Sequence, residues 1–376
     1  MQPKAARNIS IEALRLVAVA GIAVFHTFQW TFQATCAGLP EYAPLAAFPY
    51  SGVLGFINLL GCWANEVFFM ISGYFLIASA ARAWDGGATW KSQMQRTAQR
   101  LGKVVMPTTF YCLVALAWST AVSPIPDVTL NTHYWYTLGL EFIWVYAATV
   151  FMAPWFGLAK SRLSQKSYTA TVIAVDILAF VVNGYLAAMS TTSAGEFSWL
   201  QKLMSAATYV IAFLIGGLLR NVTGAMDSDK TGTLGMRSLV TVLVLATILE
   251  GTLSFTGNLT AMAALSYKST SLISFALAAA SLLFAATRRS ASGNPRTAGV
   301  IATLSTATLG FYVMQSLTSS LWRPVFNTLL ANILVSQNSP AATCIITGTV
   351  ISIVFALALL IIDTARSLIV RKLKRQ

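Results

Sequence analysis

The feature that most limits the fold of this chain is a series of ten long apolar stretches. Each approaches the ~20 residues that an α-helix needs to cross the hydrocarbon core of a bilayer. They lie at residues 9–30, 53–81, 104–122, 133–157, 168–189, 199–219, 238–256, 269–287, 298–320 and 341–365. We therefore predict an all-α, polytopic membrane bundle of about ten transmembrane helices.

The low content of charged residues excludes most other classes of protein. The 376 residues are 56% hydrophobic and only 10% charged, whereas a soluble domain is roughly 25% charged. So few charges cannot cover a water-facing surface, which excludes a soluble enzyme, a nucleic-acid-binding protein and a disordered chain. No polar stretch is long enough to form a soluble domain. We expect one membrane domain over residues 1–376, with no fused soluble domain and no nucleic-acid partner.

The positions of the basic residues predict the orientation of the bundle. If the N-terminus is cytoplasmic, 21 of the 25 Lys and Arg residues fall in inner segments. The outer segments then hold only Lys202, Lys268 and Arg323, and Arg15 lies inside the first span. Cytoplasmic loops of membrane proteins carry such an excess of positive charge. Ten spans place both termini on one side, and this distribution of Lys and Arg predicts that the side is the cytoplasm.

Ionisable side chains inside the predicted spans are candidates for function, because they are costly in lipid and usually face the bundle interior. They are Glu12, Arg15, His26, Glu66, Glu141, Asp176 and Glu250. Arg15 and His26 are three helical turns apart and share one face of the first span. A second interpretation makes Glu12 and Arg15 an interfacial ion pair and places His26 at the level of the lipid headgroups.

The second span contains Glu66 and, on the same helical face, Gly73. Ser72 precedes Gly73, and two such small residues can also serve to pack helices closely. The four cysteines form no C-x-x-C motif. Cys36 and Cys62 both fall toward the predicted outer side, which leaves a disulfide between them open.

Several short elements resemble the integral-membrane acyltransferase-3 family, whose members are bacterial glycan O-acyltransferases. Ile11 to Ala18, followed by His26, is similar to the family's opening I-D-x-L-R-x-x-A pattern with its later histidine. Phe68 to Leu76 resembles its F-F-x-x-S-G-x-L element. Further similar elements occur in the family's order at residues 100–107, 136–141, 216–219 and 309–315.

The resemblance implies transfer of an acyl group, often acetyl, from cytosolic acyl-CoA to a hydroxyl of an extracytoplasmic or lipid-linked glycan. It implies a multi-pass protein of the bacterial cytoplasmic membrane, in contact with membrane lipid. Acetyl-CoA or another acyl-CoA would be a donor substrate, with no permanently bound cofactor and no metal. Two residues depart from the family pattern, since Gln315 stands where many members have His and Tyr136 stands for Trp.

Two residues are candidates for catalysis, His26 and Glu141. Acyl transfer to a hydroxyl needs a base and a group that stabilises an oxyanion. His26 could be the base or could accept the acyl group transiently. Glu141 could orient His26, bind sugar hydroxyls, or be a buried protonated carboxyl that holds helices together. His133 is expected to be interfacial.

A larger set of residues is expected to bind substrate. The set comprises Arg15, Glu66, Ser72, Gly73, Arg100, Lys103 and Gln315. Arg15 could pair with Glu12 or Glu66, or hold a phosphate or carbonyl of the donor. Arg100 and Lys103, with Arg96, could grip the phosphates of CoA or face anionic lipid. Gln315 cannot take a proton at neutral pH and could at most donate a hydrogen bond or orient a sugar.

A transporter or flippase of a lipid-linked saccharide or small anion is the alternative function. Buried charges near helix centres also mark substrate pathways, although no inverted repeat is visible in the sequence. The oligomeric state leaves no signal in the sequence.

Overall fold

The computed structural model describes residues 8–126, 128–129, 140–190, 198–225, 228–266, 270–288, 294–336 and 339–373. These residues form fourteen α-helices, joined in places by short 3-10 turns. In chain order they are α1 Ile9–Cys36, α2 Ala43–Ala46, α3 Tyr50–Asp85, α4 Trp90–Ala121, α5 Glu141–Arg162, α6 Gln165–Ser190, α7 Ser198–Ala225, α8 Ser228–Phe255, α9 Leu259–Leu265, α10 Leu272–Thr287, α11 Pro295–Leu304, α12 Thr308–Leu317, α13 Ser319–Ser336 and α14 Pro340–Leu373.

The predicted polytopic helical bundle is confirmed. Nine helical segments of the described chain are long and apolar enough to cross a membrane, with α11 and α12 counted together as one. The remaining predicted span, 269–287, corresponds to α10, which has 16 residues. At 1.5 Å per residue α10 is about 24 Å long, shorter than a ~30 Å hydrocarbon core, and it is apolar and packs against α3, α7 and α8. The orientation of the termini stays a prediction.

Two predicted spans differ from the observed helices. The predicted span 298–320 is divided into α11 and α12 by a 3-10 turn at Ser305–Ala307. A separate helix that was not predicted, α13, follows and packs against α14. In the predicted span 133–157 the helix α5 begins at Glu141, after the N-cap residue Leu140. Residues 130–139, including His133 and Tyr136, lie outside the described chain.

Helix α3 is at the centre of the bundle and packs against α1, α5, α7, α8 and α10. Its closest approach to α7 depends on two glycines. A Cβ atom on Gly73 would overlap the backbone carbonyl of Phe213, and one on Gly216 would overlap that of Met70. Small residues allow such close contact between membrane helices. Gly73, predicted to bind substrate, is therefore a packing residue in this structure.

Replacement of Gly73 by alanine is expected to destabilise the bundle, because the new methyl group meets backbone atoms that cannot rotate away. Overpacking of this kind costs about 1–3 kcal/mol, and we expect a lower melting temperature in detergent. Gly251→Ala is the matched control, since a Cβ atom at Gly251 meets open space. A Gly73→Ala protein of unchanged stability but altered substrate affinity would restore the binding role.

None of the four cysteines is in a disulfide bond in the structure. Cys36 Sγ lies 3.8 Å from the carbonyl oxygen of Leu259, and Cys62 Sγ lies 3.7 Å from that of Ser266. The disulfide that the sequence left open between Cys36 and Cys62 is therefore not formed.

Candidate active site

One cavity of about 350 Å³ collects most of the predicted donor-binding residues. We call it the basic cavity, because Arg15 of α1 and Arg100 and Lys103 of α4 line it. Arg100 and Lys103 are three residues apart in α4, so they share one face of that helix. Ser72 of α3 lines the same cavity. Its Oγ lies 2.9 Å from the hydroxyl oxygen of Tyr146.

The basic cavity has an excess of positive charge. Arg15 Nη1 donates to Glu12 Oε2 over 3.1 Å, so Arg15 pairs with Glu12 and not with Glu66. Arg100 Nη2 donates to Ser79 Oγ over 3.2 Å, and no carboxylate is among the described partners of Arg100. Lys103 is exposed. Since the described residues that line this cavity include no Asp or Glu, the cavity suits an anionic ligand.

A second cavity of about 450 Å³ contains both predicted catalytic residues. We call it the histidine cavity. It is lined by His26, by Glu141 at the start of α5, and by Lys202 and Arg323. Glu141 is exposed, so it is not the buried protonated carboxyl of one sequence interpretation. The cavity thus brings together an imidazole, a carboxylate and two cations.

The contact of His26 with Arg323 fixes the state of the imidazole. Arg323 Nη2 lies 3.1 Å from His26 Nδ1. A guanidinium can only donate, so Nδ1 accepts this hydrogen bond and the proton of the neutral ring is on Nε2. Gln29 Oε1 lies farther from the same nitrogen, at 3.4 Å. The described partners of His26 do not include Glu141, so the predicted orientation of His26 by Glu141 is not what the structure shows.

An aromatic pair separates the two cavities. Phe142 of α5 and Tyr312 of α12 line both of them, and their ring centroids are 4.5 Å apart. Helix α1 extends past this wall, with Arg15 in one cavity and His26 in the other. The two residues are about 16 Å apart along the helix axis at 1.5 Å per residue. The two cavities therefore meet at these rings, which lie beside the path of a thin, extended ligand that reaches from one cavity to the other.

Three of the predicted binding residues lie outside the two cavities. Glu66 is fully buried, and both of its carboxyl oxygens lack a hydrogen-bond partner among the described residues. Gln315 is also buried, and its Nε2 has no partner in the described part of the chain. Its backbone oxygen accepts a 2.9 Å hydrogen bond from Trp322 Nε1. With Gly73 at the crossing of α3 and α7, the structure brings none of the three into the candidate site.

Several residues of the site are not among the predicted site residues. Arg323 and Lys202 were expected only as basic residues of outer segments. Phe142 lies in a predicted span and Tyr312 in the family-like element at residues 309–315, and the sequence assigned neither of them a role. The only signal for Arg323 in the sequence was its place among the few basic residues on the predicted outer side. The signal for Tyr312 was its place in the family-like element at residues 309–315, whereas nothing in the sequence distinguished Phe142 from the other aromatic residues of the spans.

Comparison with known proteins identifies the family. The family model described as an acyltransferase domain, acyltransferase-3, matches residues 8–359, which is nearly the whole chain. No curated protein and no solved structure matches the chain. The family match agrees with the nine membrane-spanning segments of the described chain. The chain therefore belongs to the acyltransferase-3 family and is a multi-pass membrane acyltransferase.

Proposed function

We propose that this protein transfers an acyl group, acetyl in the simplest case, from cytosolic acyl-CoA to a hydroxyl of an extracytoplasmic or lipid-linked glycan. We place it in the bacterial cytoplasmic membrane. The observation that carries the proposal is the pair of cavities, one basic and one containing His26 and Glu141, which share the wall formed by Phe142 and Tyr312. Such a pair suits a donor and an acceptor that approach from opposite sides of the membrane.

The basic cavity is the proposed site of the donor. Arg15, Arg100 and Lys103 supply the cations that the phosphates of CoA require. A cavity of about 350 Å³ is too small for all of CoA, so we expect the nucleotide at the exposed mouth beside Lys103. The long and thin pantetheine arm would then extend inward along Ser72 and Tyr146. Its thioester end would reach the wall between the cavities.

The histidine cavity is the proposed site of the acceptor and of the chemistry. The acceptor hydroxyl oxygen attacks the thioester carbon, the carbon–sulfur bond breaks, and the thiolate of CoA leaves. Glu141 accepts the hydroxyl proton, which the departing thiolate finally takes up. His26 donates from Nε2 to the carbonyl oxygen, where negative charge develops. Neither ring nitrogen offers a free lone pair while Arg323 occupies Nδ1, so this geometry favours direct transfer over an acyl-histidine.

Release of free CoA thiol by the purified protein tests the reaction class. We expect acetyl-CoA to be cleaved in proteoliposomes, and cleavage to accelerate when a glycan with free hydroxyls is supplied. The acylated product is then identified by mass spectrometry of the glycan. A transporter or flippase would leave the thioester intact, so an unchanged acetyl-CoA pool would overturn the proposal and support that alternative.

Replacement of both Arg100 and Lys103 by alanine is expected to raise the KM for acyl-CoA about tenfold or more, with a smaller change in kcat. Each hydrogen bond to a charged group contributes about 1.5–3 kcal/mol, and these contacts are made before and during the reaction. The assay is the initial rate of CoA thiol release against acyl-CoA concentration.

A matched control separates a specific phosphate site from general attraction by the positive side of the protein. Lys91→Ala with Arg237→Ala removes two exposed cations that line neither cavity. An unchanged KM in the Arg100 and Lys103 variant would assign those two residues to contact with anionic lipid. An equal rise in the control would indicate diffuse electrostatic attraction.

A further inference from the structure

A third cavity, of about 830 Å³, lies between α3, α5, α6 and α7, and the proposed reaction does not use it. Arg82, Lys160 and Arg220 line it together with one carboxylate, that of Asp85. It shares no described lining residue with the basic cavity. We call it the lateral groove. Its charged residues lie at the helix ends predicted to be cytoplasmic.

Two of the three cations of the lateral groove, Lys160 and Arg220, are held by neutral partners among the described residues. Arg220 Nη1 donates to the hydroxyl of Tyr74 over 3.0 Å, and its guanidinium lies 5.0 Å from the centroid of the same ring. The Tyr74 hydroxyl also lies 2.9 Å from Thr223 Oγ1, and Tyr74 is buried. These contacts fix the direction of the guanidinium without neutralising it, since none of its described partners is an anion.

The other two cations also lack a carboxylate partner among the described residues. Lys160 Nζ donates to Asn221 Oδ1. The side chain of Arg82 makes none of the described hydrogen bonds or ion pairs and is exposed. Asp85 accepts a hydrogen bond from Ser161 Oγ. Two oriented cations, Lys160 and Arg220, and the exposed Arg82 therefore share one groove with a single described carboxylate. Such a groove is a site for an anion with several acceptor oxygens.

Much of the remaining wall of the lateral groove is aliphatic. Ile173 of α6 and Ile215, Leu218 and Leu219 of α7 continue the groove away from the cations. A free phosphate would contact only the charged end and would leave this wall empty. A lipid places its phosphodiester at the membrane surface and its chains in the hydrocarbon region, which matches both parts of the groove.

We propose that the lateral groove binds an anionic phospholipid, with the phosphodiester against Arg82, Lys160 and Arg220 and an acyl chain along the aliphatic wall. The proposal commits to a lipid rather than to a soluble phosphate because the groove is far larger than a phosphate group and is mostly apolar in its wall. It does not depend on the acyl-transfer reaction, and lipid binding can be measured without any acyl donor.

Native mass spectrometry of the full chain in detergent tests the proposal, with short-chain phosphatidylglycerol, phosphatidylcholine, glycerol phosphate and inorganic phosphate as separate probes. We expect phosphatidylglycerol to bind at least tenfold more tightly than phosphatidylcholine. Each cation near a membrane surface is worth about a fivefold change in binding of an anionic lipid. Arg82→Gln with Arg220→Gln should therefore weaken the binding of phosphatidylglycerol about 25-fold.

Two further variants protect the test against misfolding. Arg82→Gln with Lys160→Gln leaves the Arg220–Tyr74 contact intact and should weaken binding about as much. Arg82→Gln alone disturbs no described side-chain contact and should weaken the binding of phosphatidylglycerol about fivefold. Lys91→Gln with Arg237→Gln removes two exposed cations outside the groove, and this control should stay within about twofold of the wild type.

Three results would overturn the proposal. Equal affinity for phosphatidylglycerol and phosphatidylcholine would show that the three cations do not select an anionic lipid. An equal loss of phosphatidylglycerol affinity in the Lys91 and Arg237 control would show that diffuse electrostatic attraction, and not a specific site, binds the lipid. Binding of glycerol phosphate or inorganic phosphate as tight as that of phosphatidylglycerol would show that the aliphatic wall contributes nothing and that the ligand is a soluble anion.

Discussion

Replacement of His26 by alanine is expected to lower kcat for acyl transfer by about 10²-fold or more, the usual loss when one donor to an oxyanion is removed. His26 lines the cavity that also contains Glu141. Its Nε2 carries the proton, because Arg323 Nη2 lies 3.1 Å from Nδ1 and can only donate. The measurement is single-turnover release of CoA thiol from a saturating acyl-CoA concentration with acceptor present.

A glutamine at the same position distinguishes a donor from a base. The terminal amide of glutamine can donate a hydrogen bond but cannot take a proton at neutral pH. His26→Gln should therefore retain at least about ten times the activity of His26→Ala if the imidazole acts as a donor. Equal activity of the two variants would make His26 the general base and would require Arg323 to leave Nδ1 during the reaction.

Gln315→Ala is the control for His26. The side chain of Gln315 is buried and lines neither cavity, so its loss should affect kcat far less. If correctly folded His26→Ala protein acylated its acceptor at nearly the wild-type rate, the proposed chemistry would be wrong. The transporter alternative would then gain support.

The first helix shows which features of the site helical periodicity can predict and which it cannot. Spacing alone placed Arg15 and His26 on one face of α1, and both residues do line cavities. Spacing did not reveal that the two cavities are separate, because the wall between them comes from α5 and α12. A face that continues over about 16 Å of one helix can pass from one site to another when other helices close the space beside it.

The second span shows that two residues adjacent in the sequence, Ser72 and Gly73, do not share the one role that the sequence predicts for them. Consecutive residues of a helix point ~100° apart. Ser72 faces the basic cavity, so Gly73 turns toward α7, where the carbonyl of Phe213 leaves no space for a side chain. Glu66 shares the face of Gly73 and is buried with it, away from both cavities. The adjacent residues Ser72 and Gly73 of one sequence motif therefore have different roles, since Ser72 lines a cavity and Gly73 packs against α7.

Arg323 could not be assigned to the site from the sequence, because its contact with His26 joins residues 297 positions apart. It lies on α13, a helix that the apolar pattern did not predict as a separate element. Arg100 and Lys103 were easier to place, since the basic start of a span predicts a ligand at the predicted cytoplasmic end. Long-range contacts between helices decide the chemistry of His26, and periodicity within one helix carries no information about them.

Replacement of Glu141 by glutamine is expected to lower kcat by about 10²-fold while leaving the KM for acyl-CoA nearly unchanged. The carboxylate is the proposed base for the acceptor hydroxyl, and general bases contribute about 10²–10⁴-fold to rates. Glutamine keeps the size and hydrogen-bonding reach of the side chain but cannot accept a proton at neutral pH. The measurement is the steady-state rate of acyl transfer at saturating acceptor, together with the melting temperature in detergent.

The position of Glu141 separates a catalytic from a structural effect. It is the first residue of α5, where a negative charge stabilises a helix by about 0.3–1 kcal/mol, so only a small fall in melting temperature is expected. Glu41→Gln is the matched control, because Glu41 is an exposed carboxylate in the first turn of a short helical segment and lines neither cavity. A large loss of stability with activity retained would make Glu141 a structural residue. Full activity with full stability would show that another group removes the hydroxyl proton.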